Sequence, residues 1–234
     1  MAGWPNRRIT RRLAALLTAL PWVVAGCGVG DYEALMDKRE KELMKGAPFV
    51  ALAGATKCGD TGFRIRMPSN FGTNDREHPL LFKLPNLVVA FQKEGPVPDK
   101  AMCSCYLAAT PPDPRGAAKL LAAIKPYAKA APAWEPEQVA TPEGGTLEWQ
   151  KLRVEGDLPF DCERLGDRTK VNLPGIVEIW FYGSPTGNVI MLWQIPAEIE
   201  EKEGLLKMAP VAAGSLEQIA APPAADQPAA AAPP

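Results

Sequence analysis

The chain has 234 residues, of which 47% are hydrophobic and 23% are charged. These proportions are typical of a folded domain and exclude a chain that is disordered throughout. The first 26 residues hold four arginines and no acidic side chain, and without them 22 basic and 27 acidic residues remain, a net charge of about −5. Because phosphate contacts need clustered Lys and Arg, we predict that the protein has no nucleic-acid partner.

Residues 1–26 have the three parts of a secretory signal. The basic segment MAGWPNRRITRR is followed by the apolar run LAALLTALPWVVA and then by small residues. The apolar run has about 13 residues and contains a proline, whereas a membrane-spanning helix needs about 20. We therefore predict a signal peptide and no permanent transmembrane helix. The arginine pair leaves open whether the general secretory or the twin-arginine route exports the chain.

The end of this signal, Val24-Ala25-Gly26-Cys27, resembles the bacterial lipobox. That resemblance implies cleavage before Cys27 and attachment of a diacylglycerol to its thiol, with fatty acids such as palmitate holding the mature chain on a membrane of the cell envelope. Two or three acyl chains anchor a domain far more firmly than one. The alternative, a phosphate-binding glycine loop, needs a preceding strand and the G-x-G-x-x-G spacing, and the chain has neither here.

An amphipathic helix is predicted directly after the anchor, at residues 31–46, because apolar side chains recur there at helical offsets and Gly46 ends the pattern. This helix either lies along the membrane as a stalk or packs on the following domain. We assign residues 27–60 to a lipid-anchored stalk that contains it.

The folded domain is predicted at residues 61–220. The segment GFRIRMPSNF, residues 62–71, alternates apolar and basic side chains with the period of a half-buried strand. Residues 87–92 and 102–110 are two further strands. A helix of about 11 residues follows, with Asp113 as its N-cap and Pro114 at its first position, and Pro126 ends or kinks it.

The chain then returns to strand patterns at residues 135–145 and 146–156. The clearest hairpin is at residues 176–196, where two aromatic and β-branched runs flank a turn-forming cluster. A last helical region, residues 198–219, is predicted to be interrupted at Pro210. Residues 221–234 are proline and alanine for the most part and are predicted to be disordered. This order predicts an α+β fold, an antiparallel sheet flanked by helices.

The predicted elements resemble those of PsbP-like domains, a group that includes bacterial envelope lipoproteins of the DcrB type. The matching features are the GFRIRMPSNF strand, the helix after the third strand, the hairpin ending in IMLWQIP and the closing segment GLLKMAPVAAGSLEQI. The resemblance implies a non-enzymatic domain that binds an envelope protein or assists assembly.

The mature domain keeps an even number of cysteines: Cys58, Cys103, Cys105 and Cys162. In an oxidising envelope they predict two disulfides. Cys103 and Cys105 leave a strand on the same face, so we expect each to bond to one of the other two, which would tie the pre-domain segment and a 157–173 loop to the sheet. A four-thiolate zinc site and a redox pair are the alternatives, but both prefer C-x-x-C spacing.

Catalytic patterns are weak in this sequence. His78 is the only histidine, and a hydrolase or thiol enzyme would have to use it or an unbridged cysteine. Trp149, Trp180 and Trp193 either line a ligand groove or belong to the core. We predict no catalytic residue, no metal and no cofactor. A third alternative, a small-ligand carrier, would require an apolar pocket between the sheet and a helix.

Overall fold

The computed structural model describes residues 35–36, 38–39, 47–74, 78–94, 101–164 and 167–219. The chain divides into two compact units, Met1–Ala47 and Pro48–Pro234. In the first unit, four residues of the predicted 31–46 helix are helical: Leu35, Met36, Lys38 and Arg39. The predicted signal, Cys27 and the tail 221–234 lie outside the described residues. Within the described part of the chain, no helix is both long and apolar enough to span a membrane.

Ten strands are described in the second unit. They are β1 (Leu52–Lys57), β2 (Phe63–Pro68), β3 (Gly72–Asn74), β4 (Leu87–Glu94), β5 (Met102–Thr110), β6 (Glu135–Ala140), β7 (Thr146–Arg164), β8 (Asp167–Ser184), β9 (Gly187–Pro196) and β10 (Glu217–Gln218). Seven form one sheet in the order β3-β4-β5-β9-β8-β7-β6, and the other three form a sheet in the order β1-β2-β10. Neighbouring strands are antiparallel throughout.

The structure describes three α-helices in the second unit: α1 (Gly116–Ile124), α2 (Ala197–Glu203) and α3 (Met208–Gly214). Short 3-10 helices occur at Ala47–Ala51, Lys125–Tyr127 and Leu205–Lys207. The predicted α+β class with an antiparallel sheet is therefore confirmed.

Both faces of the seven-stranded sheet are covered. Phe181 and Tyr182 are consecutive on β8 and so point to opposite faces. The ring of Tyr182 lies edge-on to Phe63 of β2, whereas Phe181 lies against Trp134 and beside Gly116 of α1. This double coverage explains why β9 is a nearly continuous apolar run that is buried at every residue.

The hairpin of β7 and β8 is longer than the sequence suggested. The predicted 157–173 loop was wrong, because β7 runs to Arg164 and β8 starts at Asp167. Leu158, Phe160 and Cys162 are buried, and this alternation is the pattern of a strand with one face in the core. Pro159 and Asp161 lie between them and disfavour strands locally, but packing of the apolar side chains overrides that preference.

A pair of glycines lies across this hairpin. Gly156 is directly opposite Gly175. A Cβ on Gly156 would lie 2.4 Å from the carbonyl oxygen of Tyr127, and a Cβ on Gly175 would lie 2.4 Å from the ring of Phe160. Neither position has room for a side chain, so the two glycines allow the outer part of the hairpin and the end of the α1 region to pack closely.

The start of the folded unit differs from the predicted domain boundary. Strand β1 lies inside the predicted 27–60 stalk but pairs with β2, so the folded unit begins at Pro48 and not at residue 61. Its sequence, LAGATK, has few residues that favour strands, so the sequence pattern did not predict this strand.

The last helical region is broken at Gly204, which has a φ of 61° and ends α2. Pro210 does not interrupt it, because it lies in the first turn of α3.

Candidate functional site

A cavity of about 630 Å³ lies between the seven-stranded sheet, α1 and the segment before β4. We call it the α1 cavity. Its apolar lining includes Phe82, Leu120, Ala123 and Ile190. Its polar lining includes Lys83, Thr110, Asp113 and Lys119. An apolar pocket between sheet and helix is what the small-ligand alternative required.

The loop after β5 forms one wall of the cavity and is fixed by Asn188. This side chain is only 3% exposed. Its Nδ2 lies 3.3 Å from Thr110 Oγ1 and from the carbonyl oxygens of Pro111 and Asp113. Because a buried amide is costly to leave without partners, these bonds hold the loop in one conformation.

The segment before β4 forms the opposite wall and is held at both ends. At its start, the Tyr127 hydroxyl donates to the carbonyl oxygen of Leu81 at 2.5 Å. At its end, the backbone N–H of Ala109 donates to the carbonyl oxygen of Asn86 at 3.2 Å. Asn86 has a φ of 47°, a left-handed conformation that Asn tolerates better than most residues. The wall is therefore shaped by the fold itself.

Helix α1 is tied to the same loop by Asp113. One carboxylate oxygen of Asp113 accepts the backbone N–H of Arg115 at 2.9 Å, and the other accepts Lys119 Nζ at 2.6 Å. These two bonds, that of Lys119 first, hold the pKa of Asp113 below its ordinary value. The helix begins at Gly116, and its N-cap is Arg115. The predictions of Asp113 as the N-cap and of Pro114 as the first helical residue were therefore wrong, and Asp113 caps the turn that precedes the helix instead.

Further along α1, the indole N–H of Trp134 donates to the carbonyl oxygen of Ala117 at 3.2 Å. Gly116 lies so close to Phe181 that a Cβ there would be 3.1 Å from its ring. The N-terminal half of the helix is thus fixed to the sheet, and its Lys119 and Leu120 are presented to the cavity.

Lys83 differs from the other charged lining residues. Asp113 and Lys119 form an ion pair with each other. Lys83 is exposed and forms no ion pair or hydrogen bond with any residue that the structure describes. It leaves the α1 cavity with one positive charge that is not neutralised by those neighbours.

A second cavity of about 470 Å³ adjoins the first. Both are lined by Asn86, Thr110, Pro111 and Pro112. The second also contacts the β1–β2 turn at residues 59–61. Gly187 lies behind this turn, where a Cβ would be 2.6 Å from Thr61 Cγ2. The two cavities form adjoining spaces on either side of one rigid loop.

The four predicted disulfide cysteines are buried and form no disulfide in the structure. Cys58 directly precedes Gly59, which lies beside Ala109 near the C-terminal end of β5. Cys162 pairs with Ala101, which directly precedes the N-terminal end of β5. The positions directly across from Cys103 and Cys105 are occupied by other residues, Lys93, Phe91 and Trp193. Two disulfides stay a prediction for the oxidised protein.

Burial also governs the chemistry of these thiols. It raises the pKa of Cys58 to about 12. The pKa of Cys103 is about 12 as well, raised by burial first and by Glu203 next. Burial raises the pKa of Cys105 well above its ordinary value. A nucleophilic cysteine needs an accessible thiolate, so this environment is the opposite of a reactive site.

The remaining sequence candidates do not meet at either cavity. His78 is exposed and belongs to neither lining. Trp149, Trp180 and Trp193 are at most 1% exposed and belong to the core, which decides between the two interpretations of these residues. In the described part of the chain, no three His, Cys, Asp or Glu side chains are grouped as metal ligands would be.

No family model matches this chain, and no curated protein does either. Among solved structures, the chain is similar to the solution structure of cyanobacterial PsbP (CyanoP) from Synechocystis sp. PCC 6803. The TM-score is 0.36 and the sequence identity 10%, with 72% of this chain and 93% of that chain covered.

Proposed function

We propose that the protein is a lipid-anchored accessory of the bacterial cell envelope, held on a membrane through Cys27. The observation that carries this proposal is the Val24-Ala25-Gly26-Cys27 motif at the end of a basic and then apolar segment. The compact unit begins at Pro48. About 20 residues therefore separate the proposed anchor from the folded unit.

The unit that begins at Pro48 is proposed to bind an envelope protein and to catalyse no reaction. The resemblance of its elements to PsbP-like domains supports this role. The alternative, a hydrolase or thiol enzyme, finds little support in its candidate residues. Burial raises the pKa of the Cys58 and Cys103 thiols to about 12, so both are protonated at neutral pH. His78 lines neither cavity.

The anchor is tested by replacing Cys27 with serine, which removes the thiol that would carry the diacylglycerol. Most of the protein is expected to move from the membrane fraction to the soluble fraction, because one apolar segment of about 13 residues does not span a bilayer. The measurement is quantitative immunoblotting of both fractions. The matched control is Gly28→Ser, which adds the same side chain next to the anchor and is expected to stay with the membrane. Retention of Cys27→Ser in the membrane fraction would refute the lipid anchor.

A further inference from the structure

We infer that the α1 cavity binds a small amphiphile, a molecule with an apolar body and a single negative charge. This binding site goes beyond the proposed accessory role and does not depend on Cys27. It rests on the size, lining, charge and rigidity of the cavity.

The size of the cavity matches a small molecule. Pockets for such ligands usually enclose about 300–1,000 Å³ and are lined mainly by apolar side chains. The α1 cavity has a volume of about 630 Å³, and its apolar lining includes Phe82, Leu120, Ala123 and Ile190. A two-ring aromatic body or a medium-length acyl chain would replace water on these surfaces, which is favourable in proportion to the apolar area covered.

The charge of the lining selects the polar group of the ligand. Among the residues that the structure describes, three charged ones line the cavity: Lys83, Asp113 and Lys119. Asp113 and Lys119 neutralise each other in an ion pair of 2.6 Å. Lys83 remains, and an anionic group beside its ammonium would form a charge-assisted hydrogen bond. The site therefore favours a ligand with one negative charge over a neutral ligand, and it disfavours a cationic ligand.

The walls of the cavity are held in place by hydrogen bonds within the fold. Asn188 holds the loop wall, Tyr127 holds the wall before β4, and Trp134 holds α1. Each of these bonds is made by a side chain outside the cavity lining. Because binding then orders few groups, little of the interaction energy is lost to ordering.

The chain's own C-terminal segment is the competing occupant. The N–H of Ile219 donates to the carbonyl oxygen of Gly62 at 2.7 Å, so the last described residue lies next to the 59–61 turn of the second cavity. Residues 220–234 follow from that point. They contain one side-chain carboxylate, Asp226, but their other residues are Ala, Pro and Gln. The segment therefore has no aromatic ring or long aliphatic side chain to fill the apolar part of a cavity of about 630 Å³.

The test uses two fluorescent probes that differ only by a sulfonate. They are 8-anilinonaphthalene-1-sulfonate, which is anionic, and N-phenyl-1-naphthylamine, which is neutral. Both are titrated into the full chain carrying Cys27→Ser, so that no acyl chain is attached to the protein. The anionic probe is expected to bind at one saturable site and more tightly than the neutral one.

The variants locate that site. Lys83→Gln is expected to weaken binding of the anionic probe by about 10-fold and that of the neutral probe by less than 2-fold, since only the anion loses a charged partner. Ala123→Phe fills the cavity and is expected to weaken both. Lys170→Gln removes an exposed lysine of β8 that lines neither cavity and is expected to change neither.

Two results would overturn the inference. One is an equal effect of Lys83→Gln and Lys170→Gln on the anionic probe, which would mean general attraction to a positive surface. The other is a gain of about 10-fold in probe affinity when the chain is ended at Ile219, because residues 220–234 would then be the natural occupant. Unchanged affinity after this truncation supports the amphiphile site.

Discussion

Replacing Gly156 with alanine is expected to lower the midpoint of thermal unfolding by about 5–10 °C, measured by circular dichroism on the full chain carrying Cys27→Ser. The added Cβ would lie 2.4 Å from the backbone oxygen of Tyr127, a distance that real side chains do not adopt. Either the hairpin or the end of the α1 region must shift, and such overpacking costs about 1–3 kcal/mol.

The matched control is Gly54→Ala. Gly54 is also a strand glycine, but a Cβ there would meet no atom within 4 Å. We expect its unfolding midpoint to stay within about 2 °C of that of the parent chain, since exposed substitutions usually change stability little. Equal midpoints for the two variants would show that the β7–β8 hairpin does not pack against Tyr127 as described.

Burial of Cys58 and Cys103 is expected to cost the reduced protein about 3 kcal/mol of unfolding free energy for each pH unit above about 9.5. The reason is that burial raises the pKa values of these two thiols from 9.0 to about 12. The raised pKa of Cys105 adds to this slope in the same direction. As the pH rises, the unfolded chain releases these thiol protons first. The stabilisation is therefore fully present below pH 9 and is lost between pH 9 and 12. Urea unfolding at a series of pH values measures the slope.

The variant Cys58→Ala isolates one of these thiols. Its slope above pH 9.5 is expected to be shallower by about 1.4 kcal/mol per pH unit, whereas below pH 8 its stability should run parallel to that of the parent. Parallel curves up to pH 11 would contradict a buried thiol at position 58. In protein isolated without reductant, the same slope is absent if the four cysteines form the two predicted disulfides, so the comparison also tests that prediction.

Much of the fold follows from periodicity in the sequence. The alternation in residues 62–71 predicted β2, and the two aromatic runs around the 183–188 turn predicted the junction of β8 and β9. Here the local preference of each residue agrees with its place in the sheet. Sequence reasoning therefore reached the α+β class without any contact information.

The outer half of the β7–β8 hairpin was missed although its signal was present. Leu158, Phe160 and Cys162 alternate with two aspartates and a proline, which is the period of a strand. The two aspartates and the proline disfavour strands locally and oppose that signal. The decisive factor is tertiary packing, such as the contact between Phe160 and Gly175, which no local pattern reveals.

The α1 cavity could not be predicted as a site. Its lining comes from the segment before β4, from the loop after β5 and from α1, with Ile190 of β9 added. None of these segments contains a motif, and they meet only because β5 pairs with both β4 and β9. From the sequence, a small-ligand carrier was expected to require an apolar pocket between the sheet and a helix. Neither the position of this pocket nor the role of Lys83 was predicted.

We propose that Cys27 anchors the protein to a membrane and that the unit beginning at Pro48 provides its binding surfaces. The buried thiols contribute to stability and not to reactivity.

Affinity capture of the tagged chain from solubilised membranes, followed by mass spectrometry, tests the central claim most directly. We expect to recover a chain that starts at a diacylglycerol-modified Cys27. We also expect one envelope protein in near-equal amount, which should be absent when an unrelated tagged lipoprotein is captured. Recovery of the chain alone, or with the same proteins as that control, would contradict the accessory role.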